Sequence, residues 1–210
     1  MIINFSVKRT IEEKIKEIEE EYKQTQGLIL TEDDLKCLLY NKLNEIDELS
    51  EKRETLDPGI LANSIHTEVS WYDRKGKLTI KPDITILEPE NLSILHKCYE
   101  PDSNPPSKQY EFHGKAIILE LKFIRNKTGI RKTTLDSRIK KDFEKIKGLF
   151  SRLKSQGKED ELFCYFVIVN KTDIKCKEFD SFINQNRKKD RYKIFYLTGK
   201  VKFLNYKKTI

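Results

Sequence analysis

At 210 residues the chain is long enough for one domain with a substantial core, and two full domains would be a stretch. Hydrophobic residues (37%) and charged residues (36%) together exclude a wholly disordered chain, and no apolar run approaches the roughly 20 residues needed to span a membrane. The net charge of +7 fits a polyanionic partner, so the place of the charge along the chain matters more than its sum.

Residues 1–10 lack a cationic stretch followed by an apolar one, and the expectation is a cytoplasmic protein with no membrane partner. From about 7 to 24, Ile11, Ile15, Ile18 and Tyr22 recur at steps of four, three and four, which predicts an amphipathic helix. Its apolar stripe is narrow and could pack on the domain or on another chain, so it is read as an N-terminal helical extension over 1–30 and a route to a homodimer or a partner protein. Thr31-Glu32-Asp33-Asp34 then has the character of a helix start, with Thr31 as the cap and acids in the first turn. Leu35, Leu38, Leu39, Leu43, Ile46 and Leu49 give that second helix a broad apolar face, and Asp57-Pro58-Gly59 ends the segment.

Strands are expected over 66–72 and 78–87, joined as a hairpin by the charged, glycine-containing loop 73–77. The proline-bearing stretch 88–114 reads as an irregular insertion, followed by a third strand over 115–123. Ile139, Phe143, Ile146, Phe150 and Leu153 predict a helix over 134–155, and the nearly continuous apolar run 162–169 predicts a strand buried on both faces. A helix over about 173–186, a strand over 192–197 and an edge strand in the tail 200–210 complete the chain. Cys37, Cys98, Cys164 and Cys176 form no C-x-x-C pair, and neither a disulfide nor a zinc site is expected.

Three charged residues, Asp83, Glu120 and Lys122, stand inside these otherwise apolar strands. Burying a charge costs several kcal/mol unless it is paired or binds a metal, so the three suggest one shared site. Strand alternation puts Glu120 and Lys122 on one face and Leu119, Leu121 and Phe123 on the other. Phosphodiester hydrolysis needs a hard divalent cation held by carboxylates and a group to orient the attacking water, which two acids and a lysine can supply.

Pro82-Asp83 followed by Glu120-x-Lys122, within an α-β-β-β-α-β order over about 31–170, resembles the PD-(D/E)XK nuclease superfamily. The resemblance implies an α/β restriction-endonuclease-like αβββαβ core with a mixed central sheet flanked by helices, occupying 31–210. It implies a Mg2+-dependent nuclease, with Mn2+ able to substitute, that cleaves DNA in preference to RNA. Asp83 and Glu120 match the family's metal-binding acids, and Lys122 matches its catalytic lysine. A further acid often comes from the first helix of this fold, a position that Glu32 resembles, while Glu68 competes for the role and His66 shares its face. Glu32 has an alternative reading as a first-turn acid favoured by the helix dipole, and Glu68 as an exposed strand residue.

Charge distribution adds independent support. From Lys122 to Lys158 there are thirteen Lys or Arg against three Asp or Glu, 13 − 3 = +10, leaving 7 − 10 = −3 for the rest. Arg125, Lys127, Arg131 and Lys132, then Arg138 and Lys141, are candidate phosphate contacts, and Asp142 and Lys145 are candidates for phosphate contact or site support. The expected setting is restriction, phage defence, mobile-element excision or repair. The rival expectation is a catalytically silent nuclease-fold subunit that binds DNA or scaffolds a larger complex.

Overall fold

Helix α1 (Phe5–Gln24) starts where the extended residue Asn4 accepts a hydrogen bond from the Val7 amide at 3.0 Å. In the computed structural model, which describes residues 3–72, 78–94, 111–112, 114–158 and 161–200, the α1 stripe Val7, Ile11, Ile15, Ile18 and Tyr22 is fully buried. It belongs to the same apolar cluster as α2 (Glu32–Asn44) and one face of the central sheet. The stripe is therefore covered by this chain's own domain. Helix α2 opens with a reciprocal capping box between Thr31 and Asp34 and ends at Asn44, earlier than its apolar spacing implied. Tighter bonds from the Glu45 and Ile46 amides to Lys42 and Leu43 close the ladder, and a single turn, Asp47–Ser50, keeps Leu49 inside.

The central sheet is mixed. Strands β1 (Ile65–Thr67), β2 (Ile84–Leu87), β3 (Ala116–Ile124), β4 (Leu162–Asn170), β5 (Lys188–Lys189) and β6 (Tyr192–Thr198) lie in the order β5-β6-β4-β3-β2-β1. The pairs β1/β2, β2/β3 and β5/β6 are antiparallel, whereas β3/β4 and β4/β6 are parallel. Each parallel step needs a crossover, supplied by α3 (Lys141–Ser155) and α4 (Lys177–Asn186). Helices α1 and α2 cover one face through Leu119, Leu121 and Phe123 of β3, and α3 and α4 cover the other through Ile118, Cys164, Phe166 and Ile168. The continuous apolar run of β4 is thus central and buried on both faces, as its composition implied.

The expected hairpin is split in two. Pairing of β1 with β2 runs only from Ile65/Ile86 to Thr67/Ile84, and a separate ribbon joins Trp71–Tyr72 to Leu78–Ile80. The break lies at Glu68, which has a left-handed φ of 56° while its amide still donates to the Asp83 carbonyl at 3.1 Å. A second ribbon, Arg53–Glu54 with Leu61–Ala62, flanks the Asp57-Pro58-Gly59 turn. Within the stretch read as an irregular insertion, Leu92–Ser93 pairs with Glu111–Phe112. The loop 73–77, residues 95–110 and the tail edge strand at 201–210 lie outside the described residues.

Helix α3 is entered through a short turn, Lys132–Thr134, and a π-helical segment, Leu135–Lys140, which inserts extra backbone per turn. Helix α4 begins later than expected because the residues before it are used elsewhere. Ile130 donates to the Ile174 carbonyl at 3.0 Å and accepts from the Cys176 amide at 2.9 Å, so 174–176 is held extended against the loop after β3. Among the described residues, no helix is long and apolar enough to cross a membrane.

Candidate active site at the end of strand β3

Strand β3 outruns its neighbour. The β2/β3 register pairs Ile84 with Leu119, and one further step sets Asp83 opposite Glu120, where β2 has ended. On the β2 side, the β3 amides beyond that point lack a strand partner and take carboxylates instead. Asp83 Oδ2 accepts from the Leu121 amide at 2.7 Å, and Glu32 Oε2, from the first turn of α2, accepts from the Phe123 amide at 2.9 Å. Two acids from distant parts of the sequence are thereby fixed beside Glu120 and Lys122.

Lys122 is the centre of the group. Its Nζ donates to Glu120 Oε1 at 2.8 Å and lies 3.2 Å from Asp142 Oδ2 of α3 and 3.8 Å from Glu32 Oε1. Glu120 and Lys122 are 9% and 6% exposed, so these contacts are made largely out of water. The π-helical segment brings Arg138 to the rim, where its guanidinium stands 3.6 Å from Glu32 Oε2.

Burial pushes the Glu120 carboxyl up to about 7, with Asp83 and Asp142 adding repulsion and Lys122 opposing. Asp83 is raised for the same first reason, with the Leu121 amide and Lys122 holding it back. Burial alone would lower the Lys122 ammonium, but attraction from Glu120, Glu32 and Asp142 outweighs it and keeps the side chain charged above its ordinary range. Asp142 is also pushed up by burial, yet its bonds to Lys145 and Lys122 bring it below the ordinary carboxylate range.

The residues singled out from the sequence fall into two groups. Asp83, Glu120, Lys122 and Glu32 converge, and Asp142 proves to be a direct neighbour of Lys122. Glu68 does not join them. Its exposed carboxylate pairs with Lys36 and Lys81, and both hold it at about 2. His66 contacts the Asn63 carbonyl at 2.8 Å, and burial lowers its imidazole. Arg125, Lys127, Arg131, Lys132 and Lys141 are exposed and make no ion pair among the described residues. Lys36, which the sequence reading passed over, bonds both Asp33 and Glu68. Its position one turn after Glu32 on α2 was the available signal.

The basic loop leaving β3 has a fixed path. Gly129 adopts φ 62°, and a Cβ there would meet the Ile174 carbonyl oxygen at 1.9 Å. Exposed cations are therefore presented on a pinned backbone just beyond Lys122.

Among the described residues, no group of three or more His, Cys, Asp or Glu is arranged to hold a metal ion. Asp83 and Glu120 are two hard oxygen donors in facing positions, and Mg2+ commonly takes only one or two protein carboxylates with water and substrate oxygens. The donor chemistry fits such an ion. No protein-family model, curated protein or solved structure matches the chain.

Proposed function

We propose that the chain is a metal-dependent nuclease of PD-(D/E)XK type with a restriction-endonuclease-like core, and that its substrate is DNA in preference to RNA. The observation that carries this reading is the convergence of Asp83, Glu120 and Lys122 at the end of β3, beside a loop of exposed, unpaired cations. Its support extends to topology. The helix α2, the antiparallel run β1-β2-β3, the crossover α3 and the parallel strand β4 follow the αβββαβ order that the motif implies.

Asp83 and Glu120 would hold Mg2+ or Mn2+, which when bound supplies charge neutralisation at the phosphate and a more acidic water. The chain's own groups do the rest. Lys122, kept as an ammonium, can orient a water by donating to it and can stabilise charge on the phosphate oxygens. Glu120 accepts a hydrogen bond from the Lys122 ammonium, and Asp142 and Glu32 stand beside the same ammonium and keep it charged. Arg125, Lys127, Arg131 and Lys132 would hold the phosphate backbone, with Arg138 and Lys141 alongside on the following helix.

The closed contacts of Lys122 favour one alternative: the group is a structural ion network in a nuclease-fold subunit that binds DNA without cutting it. Incubating the purified chain with supercoiled DNA, single-stranded DNA and RNA, in Mg2+, Mn2+ or EDTA, separates the two. Cleavage that needs the metal supports the nuclease, and salt-sensitive binding with no cleavage in any metal supports the silent subunit.

A further inference from the structure

A cleft of about 730 Å³ opens between α2 and the edge strand β1. Its volume lies in the range that holds a small organic ligand. Lys36, Tyr40 and Asn41 line it from α2, and Asn63, His66 and Glu68 from the β1 side. It is linked to the candidate active site through α2 and through Glu68. Glu32, Lys36 and Tyr40 follow one another at steps of four, so they share one face of α2. Across the cleft mouth, Lys36 bonds Glu68 at 2.9 Å, and the Glu68 amide bonds the Asp83 carbonyl.

Lys36, Glu68 and His66 are held by bonds within the protein, which leaves three other polar side chains of the cleft open to a ligand. The side-chain amides of Asn41 and Asn63 and the Tyr40 hydroxyl make no hydrogen bond among the described residues. An Asn amide offers both donors and an acceptor to a base edge, and the half-buried Tyr40 ring offers a stacking surface. Eight residues of helix place Tyr40 about 12 Å along α2 from Glu32, within reach of a short single-stranded segment.

From this we infer that the cleft is a base-binding subsite, taking one unstacked nucleobase of the strand whose phosphate reaches Asp83 and Glu120. The inference deepens the nuclease reading and rests on it for the identity of the strand. Tyr40 stacks on the base, and Asn41 and Asn63 read its edge.

The test is photo-cross-linking of the full chain, in EDTA, to single-stranded oligonucleotides carrying 5-iodouracil at successive positions, with the linked peptide mapped by mass spectrometry. The expected result is a cross-link within residues 36–41 or 63–68, reduced about tenfold by Tyr40→Leu and measurably by Asn41→Ala. Asn41 is exposed, so that variant carries the test even where Tyr40→Leu lowers stability. Cross-links confined to the 125–132 loop, or unchanged in both variants, overturn the subsite. A chain that cleaves in Mg2+ but never links through the cleft keeps the nuclease reading and loses this one. A chain that links there but never cleaves loses the nuclease reading alone.

Discussion

Replacing Glu120 by Gln separates what the site costs the fold from what it does. The Glu120 carboxyl, 9% exposed, is raised from 4.5 to about 7, so the folded state holds its proton more tightly than the unfolded chain does. A group raised in this way contributes stability that is present below about pH 4.5 and is lost as pH rises through about 7. At about 1.4 kcal/mol per pKa unit, the rise from 4.5 to about 7 amounts to about 3 kcal/mol. Gln cannot ionise and lacks this dependence, although it weakens the bond to Lys122. The absolute stability of the variant mixes both effects, but its pH dependence does not. Urea denaturation of both proteins at about pH 4.5 and about pH 8 should show the wild type losing about 3 kcal/mol relative to Glu120→Gln across that interval. A stability difference that stays constant with pH would refute the burial-driven account of Glu120.

Three further outcomes are expected. Ile15→Ala, at a fully buried position of α1, should destabilise the whole domain by about 3 kcal/mol in a single cooperative transition, since α1 shares the sheet's core. Gly129→Ala should cost about 2 kcal/mol in thermal denaturation, because the new Cβ collides with the Ile174 carbonyl at a left-handed φ. The double variant Lys127→Ala with Arg131→Ala should lower the slope of log affinity against log salt for DNA by about 2, measured by fluorescence anisotropy, while leaving the melting temperature unchanged.

What the sequence disclosed was whatever local pattern controls. Alternation in 117–123 fixed which face Glu120 and Lys122 share, and Ile139, Phe143 and Ile146 disclosed the apolar side of α3. Thr31 disclosed the start of α2 through its capping chemistry. The parts that stayed hidden depend on contacts between distant segments. Glu32 is committed by an amide 91 residues away, which is free only because β2 stops short of it. Glu68 leaves the site because a left-handed turn ends β1 and two lysines hold its carboxylate. The late start of α4 follows from Ile130 pairing with 174–176, and the π-helical entry to α3 has no periodic signature of its own.

The central claim is that Asp83 and Lys122 serve one phosphodiester-cleaving site. The most direct measurement is nicking of supercoiled plasmid in Mg2+ by the wild type, Asp83→Ala and Lys122→Ala, each first shown to be folded by circular dichroism. Cleavage by the wild type that disappears in EDTA and falls at least about a hundredfold in both variants is the predicted result. Metal-dependent cleavage that survives both substitutions would contradict the site, and a folded wild type inert on plasmid, single-stranded DNA and RNA would contradict the activity.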